Sequence, residues 1–294
     1  MSLSRARVTA AYLGACRDEL QALKPGNAHV HSDTHKLSPA QFAKSARVSA
    51  PALTLPGANV GARIFGAAAA TRAAVGTNTN LGILLLCAPL AAAAEIVPEP
   101  GLAALRSALA ATLDGLSLDD ADAAFRAITL AAPGGLGADA DNDVRAPAKT
   151  TLKAAMAGAA ARDRIAWQYA HDFTDVFDLG LAACREAEAR TEPAWRDPQW
   201  RTLLVYLAFL SAFPDSHILR RHGPAAASRA RGAAQGMAAR LRGAADPAAL
   251  LPDLHAWDGA LKAAGVNPGT SADLTVAALF ARRLAAFGAQ RPCQ

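Results

Sequence analysis

The chain has 294 residues, of which 52% are hydrophobic, 19% charged and 5% aromatic, with a formal net charge of +5 and a pI of about 9.3. That length and apolar content give a globular chain with a large core and exclude a disordered one. The few aromatic rings leave little for stacking nucleic-acid bases, and basic residues in short clusters such as Arg220-Arg221 make no stripe for a duplex, so the positive balance points to anionic small molecules.

Residues 1–11 lack the apolar core of a signal peptide. The longest nearly polar-free run, 81–94, is shorter than the ~20 residues of a membrane span. Cys16, Cys87, Cys184 and Cys293 form no CxxC pair and have no His at zinc-ligand spacing, which reads as free thiols in a reducing cytoplasm. Alanine dominates and period-two strand patterns are nearly absent, so the expected fold is all-α: a single multi-helix domain over 1–294 with a long central Gly/Asp-rich loop.

In chain order, Lys24-Pro25-Gly26-Asn27 is a turn able to hold a phosphate by charge and backbone N–H groups, or simply a solvated turn. His29, His31, Asp33 and His35 follow at odd-numbered positions, which an extended loop would turn to one side, as a metal site or part of a solvated turn. Ser38-Pro39-Ala40-Gln41 is a capping box that opens a helix. Next, Arg72 precedes Thr77-Asn78-Thr79-Asn80, and an apolar helix begins at Leu81. With Asn80 or Thr79 as N-cap this is a capped connector or an anion site; one cap needs a single such residue and here there are four, so this helix start is expected to face an anion.

Ser117-Leu118-Asp119-Asp120 is a second capping box, with Leu118, Phe125 and Ile128 on one face. The loop 133–147 carries Asp139, Asp141 and Asp143, a cation site or a solvated acidic loop. The stretch 162–179 reads as one amphipathic helix with an Ile165/Tyr169/Phe173/Val176 stripe and Gly180 as C-cap. Asp172, Asp175 and Asp178 then lie along one side, as a Mg²⁺ site or a polar face. Asp197-Pro198 opens a helix ending near Pro214. Asp215, His217, Arg220 and Arg221 cluster just beyond it, and a basic helix end does not account for Asp215. Last, Thr270-Ser271-Ala272-Asp273 reads as a third capping box before a helix over 274–287.

Four of these segments, KPGNAHVHSDTH, TRAAVGTNTNLGILLLCAPL, PDSHILRRHG and NPGTSADLTVAALF, together resemble the triphosphoribosyl-dephospho-CoA synthases, in that family's order over roughly residues 11–285. Thr34 stands before His35 where the family usually has Gly, and DRIAWQYAHDFTDVFDLGL is similar to relatives linked to pterin-dependent one-carbon metabolism. The resemblance implies an all-helical transferase that moves the triphosphoribosyl group of ATP to the 2′-hydroxyl of dephospho-CoA and releases adenine, a cofactor-precursor reaction. In that chemistry Lys24, Gly26, Asn27, Arg72, Thr77, Asn78, Thr79, Asn80, Arg220 and Arg221 are expected at the nucleotide and its phosphates. Asp172 and Asp175 are expected to hold Mg²⁺ or act as base, with Asp215 and His35 as further acid/base candidates. The expected partners are ATP and a nucleotide-like acceptor, with a homodimer as the candidate assembly and neither nucleic acid nor a membrane. The alternatives are a pterin- or furan-type acceptor, and a nucleotide-binding protein without catalysis.

Overall fold

The structure is a computed structural model that describes residues 3–32, 37–97, 101–131 and 143–287. It is built of helices. The first half holds α1 (Arg5–Gln21), α2 (Pro39–Leu53), α3 (Val60–Val75), α4 (Leu81–Ile96), α5 (Leu102–Asp114) and α6 (Leu118–Ala131). The second half holds α7 (Leu152–Ala159), α8 (Arg164–Ala170), a π-turn segment (Asp175–Gly180), α9 (Leu181–Glu188), α10 (Pro198–Ala212), α11 (Ser216–Gly243), α12 (Leu251–Ala263) and α13 (Gly269–Ala286). Among the described residues the only strand-like pairing is one bridge between His29 and Ser32.

The core sits where α1, α4, α10 and α13 cross, and it decides which helices carry polar faces. Leu84, Leu86, Leu90, Val205, Leu207, Val276 and Phe280 are fully buried there. α4 is buried along most of its length, which explains its lack of a polar face. No single helix among the described residues is long and apolar enough to cross a membrane.

Two of the three expected capping boxes form. Ser38 N–H donates to Gln41 Oε1 at 2.9 Å, and Ser117 N–H to Asp120 Oδ2 at 2.9 Å while Ser117 Oγ accepts from Asp120 N–H. Asp120 also accepts the Gly61 N–H at 2.7 Å, and a Cβ at Gly61 would strike the Asp120 backbone, so the second box also fixes the start of α3. Asp197 caps α10 as expected. The third box does not form: α13 already begins at Gly269, so Thr270 and Ser271 lie inside its first turn and Asp273 is free of capping duty.

The stretch 162–179 is a second correction. It is not one helix but α8, a break, and the π-turn segment. Asp172 and Phe173 sit in the left-handed region at φ 48° and 57°. The apolar stripe survives, since Ile165, Tyr169, Phe173 and Val176 are all buried. The three aspartates are dispersed. Asp172 pairs with Lys153 at 2.9 Å, Asp175 with Arg164 at 2.7 Å and Asp178 with Arg106 at 2.6 Å.

Candidate active site

The KPGN turn is held together from inside. Lys24 is fully buried, and its Nζ donates to the carbonyls of Glu19 at 2.6 Å, Ala28 at 2.7 Å and Ala22 at 3.3 Å, beside the Glu19 carboxylate at 3.2 Å. An ammonium has three protons, so none is left for a phosphate; Lys24 pins the turn. Gly26 has φ 81°, and its N–H donates to Asp258 at 2.8 Å. Asn27 donates to Asn267 at 2.8 Å. The KPGN turn thus spends its polar groups on its own carbonyls, on Asp258 of α12 and on Asn267 before α13. His29 faces Asp258 and Lys262 instead of a metal, and no cluster among the described residues has the ligands for one. His35, Asp139 and Asp141 lie outside the described residues. Asp143 receives the Arg145 backbone N–H at 3.0 Å.

The polar run before α4 divides its labour. Asn78 Oδ1, not Asn80, caps the helix by accepting the Leu81 N–H at 3.1 Å. Thr79 Oγ1 meets Ser45 Oγ at 2.5 Å, and Asn80 donates to Ser49, which bonds the buried Tyr12 hydroxyl at 3.0 Å. Thr77 and Asn78 line a small recess with Arg72 and the buried Thr71.

The opposite side of the same helix start is where distant segments meet. A Cβ on Gly82 would overlap Asp273 Oδ2 from α13 and press on Ile165 from α8. Asp163 caps α8 by accepting from Ile165 and Ala166 N–H, and its other oxygen accepts from Arg220 at 2.5 Å. The Arg164 N–H donates to Ser216 at 2.8 Å, tying α8 to the start of α11. Asp215 is fully buried: it caps α11 through His217 and Ile218 N–H and receives both the N–H and the hydroxyl of Ser271 at 2.8 Å. His217 packs over Gly269, where a Cβ would come within 2.6 Å of its Nδ1. Burial and the nearby arginines lower the His217 imidazole to about 4, so it is neutral at pH 7.

The starts of α4, α8, α11 and α13 therefore converge, and Asp163, Arg164, His217, Arg220 and Asp273 lie half-buried at this junction. Asp273 is pushed well above the usual carboxylate range, chiefly by burial and then by the charges of Glu19, Asp215 and Asp163, against the opposing Arg220. Glu19 is also raised by burial, offset by Lys24. Helix starts offer positive ends and free N–H groups; carboxylates in their midst suit a reaction that develops positive charge beside a polyanion.

The family model of the ATP:dephospho-CoA triphosphoribosyl transferases matches residues 5–291. The chain belongs to this family. This triphosphoribosyl transferase is therefore an enzyme acting on ATP and dephospho-CoA. Its fold is also that of a solved structure, "putative triphosphoribosyl-dephospho-coA synthase" from Archaeoglobus fulgidus, at 20% identity and a TM-score of 0.61, covering 84% of this chain and 99% of that one. No curated protein matches the sequence.

Of the residues expected at the transferase's site, the structure gathers Asp215 and Arg220 at the junction of these helix starts, with the exposed Arg221 next in the chain. Thr77, Asn78 and Arg72 lie at the recess on the other side of the α4 start. Lys24, Gly26, Asn27, Thr79 and Asn80 have their polar groups engaged in protein contacts. Asp172 and Asp175 are engaged by Lys153 and by Arg164 with Gln168. The sequence reading passes over Glu19 and Gly82, and takes Asp273 as a cap in a stretch that could also be an anion-facing helix start. Glu19 lies inside a helix with no local signal, and Asp273 was hidden by its fit to a capping pattern. The glycine after Leu81 was the available hint, because a helix interior disfavours glycine unless something comes close.

Proposed function

We propose that this enzyme moves the triphosphoribosyl group of ATP to the ribose 2′-hydroxyl of 3′-dephospho-CoA with release of adenine, and that the transfer takes place at the junction of the starts of α4, α8, α11 and α13. The observation that supports this placement is the convergence there of Gly82, Asp163, Asp215, Arg220 and Asp273 from four separate parts of the chain. Breaking the bond from C1′ to N9 of adenine builds positive charge on the ribose, and carboxylates close to C1′ stabilise it.

The triphosphate stays on the product, so its requirement is anchoring. Arg220 and Arg221 supply guanidinium groups, and Arg220 Nε is buried without a protein partner. The starts of α4 and α13 supply backbone N–H groups. Mg²⁺ enters this reading as part of the substrate, MgATP, keeping water and phosphate oxygens as ligands. Asp172 and Asp175 do not fit a metal cage, since each is neutralised by its own cation.

The test is adenine release from MgATP with and without dephospho-CoA, followed by the mass of the product. Adenine formed only with dephospho-CoA, with a matching mass gain, is the expected result. ATP binding without adenine release would sink the reading and leave a nucleotide-binding protein. Adenine released only with a pterin- or furan-type precursor would move the acceptor.

A further inference from the structure

We propose that Asp273 is the acid of this transfer, giving its carboxyl proton to a ring nitrogen of the departing adenine; this rests on the junction being the place of reaction. Three observations carry it. First, the Asp273 carboxyl lies directly against Gly82, in the space that a side chain at that position would take. Second, the other carboxylates at the junction are committed. Asp163 accepts two helix N–H groups and a guanidinium, Asp215 accepts on both oxygens, and Glu19 pairs with Lys24. Asp273 accepts no hydrogen bond among the described residues. Third, Asp273 lies between helices yet keeps part of its surface open to solvent, where a ligand can reach it.

The groups that face it hold the proton in place. They are Glu19 and Cys16 on α1, Cys87 on α4, Asp163 at the α8 cap, and Asp215 and Arg220 on α11. Burial keeps both cysteines as neutral thiols, so three carboxyl groups oppose one guanidinium around Asp273. A carboxylic acid whose ionisation is opposed in this way is suited to donate a proton.

The step balances as follows. The C1′–N9 bond breaks with its electron pair on adenine, which takes the Asp273 proton. The acceptor oxygen forms the new bond to C1′ and loses its proton to water. Water then returns a proton to Asp273.

The test compares wild type, Asp273→Asn and Asp273→Glu in adenine release with dephospho-CoA across pH, with ATP affinity measured by calorimetry. A single acid contributes about 10²–10⁴-fold, and that loss of kcat is expected for Asp273→Asn with ATP affinity kept. Wild-type kcat is expected to fall on the alkaline side as Asp273 loses its proton. That limb should vanish in Asp273→Asn and move in Asp273→Glu. An Asn variant within about tenfold of wild type, or one that keeps the limb or loses ATP affinity in proportion, overturns the proposal. If the Asn variant does not fold, a limb that stays fixed in Asp273→Glu overturns it. Wild type that releases no adenine overturns the reaction itself and the acid with it, whereas adenine release indifferent to Asp273 overturns the acid alone.

Discussion

Single residues in this enzyme are decided by what lies opposite them. Gly82 has no conformational need to be glycine and is glycine because the Asp273 carboxyl occupies the space of a Cβ. Gly82→Ala is expected to leave helix content unchanged by circular dichroism, since alanine suits a helix better. It should also lower kcat by at least about tenfold through displacement of the carboxyl. Undiminished turnover would show that the close approach is packing alone. Lys24 gives the opposite lesson. Its sequence context, KPGN, suits a phosphate, yet its three protons are consumed inside the turn. Lys24→Met leaves Glu19 buried and unpaired, with an expected cost of about 3–5 kcal/mol in urea unfolding. A rise in KM for ATP at unchanged stability would restore the phosphate role.

At the scale of elements, periodicity located the buried stripe of 162–179 correctly and the helix incorrectly. Ile165, Tyr169, Phe173 and Val176 are all buried, but across a break where Asp172 and Phe173 take positive φ and a π-turn follows. Periodicity reports which residues are inside, and a locally rewound backbone can satisfy the same demand. The break separates Asp172, Asp175 and Asp178, whose regular spacing had suggested a metal site. Asp175 holds Arg164, whose guanidinium stacks on Trp167 and Phe213 at 3.7 and 4.3 Å and whose backbone N–H reaches Ser216. Asp175→Ala is expected to lower stability by about 1–3 kcal/mol, read by urea unfolding, because a half-buried guanidinium loses its partner. A 10²-fold or larger fall in kcat at unchanged stability would instead make Asp175 a catalytic base.

At the scale of the molecule, the junction stores instability. Burial and neighbouring carboxylates raise the Asp273 carboxyl, so the folded chain keeps that proton to higher pH than the unfolded chain does. A group raised in this way contributes stability at low pH that is lost as pH climbs towards its folded value. Asp273→Asn is therefore expected to melt at a higher temperature than wild type at pH 8, with the gain shrinking towards pH 4. A variant that melts lower than wild type at pH 8 would contradict a neutral, desolvated carboxyl. His217 works in the other direction: its imidazole, lowered to about 4, costs stability as pH falls from the unfolded value of 6.5.

The sequence by itself determined the helical class, two capping boxes, the Asp197 cap and the family, because propensity, local capping and four ordered motifs are all written in short windows of residues. It also marked the segments that meet at the junction. Only the tertiary structure decided what each polar residue is for. Lys24 is spent on carbonyls of its own turn, Asn27 docks on Asn267, Asn78 caps α4 while Asn80 reaches Ser49, and Asp273 packs on Gly82 from a helix nearly two hundred residues away in the chain. A hydrogen bond, an ion pair or a close approach depends on what packs opposite a residue; Asn27, Asn80 and Asp273 meet groups far along the chain, and Lys24 turns inward because its turn is buried, which no local pattern records.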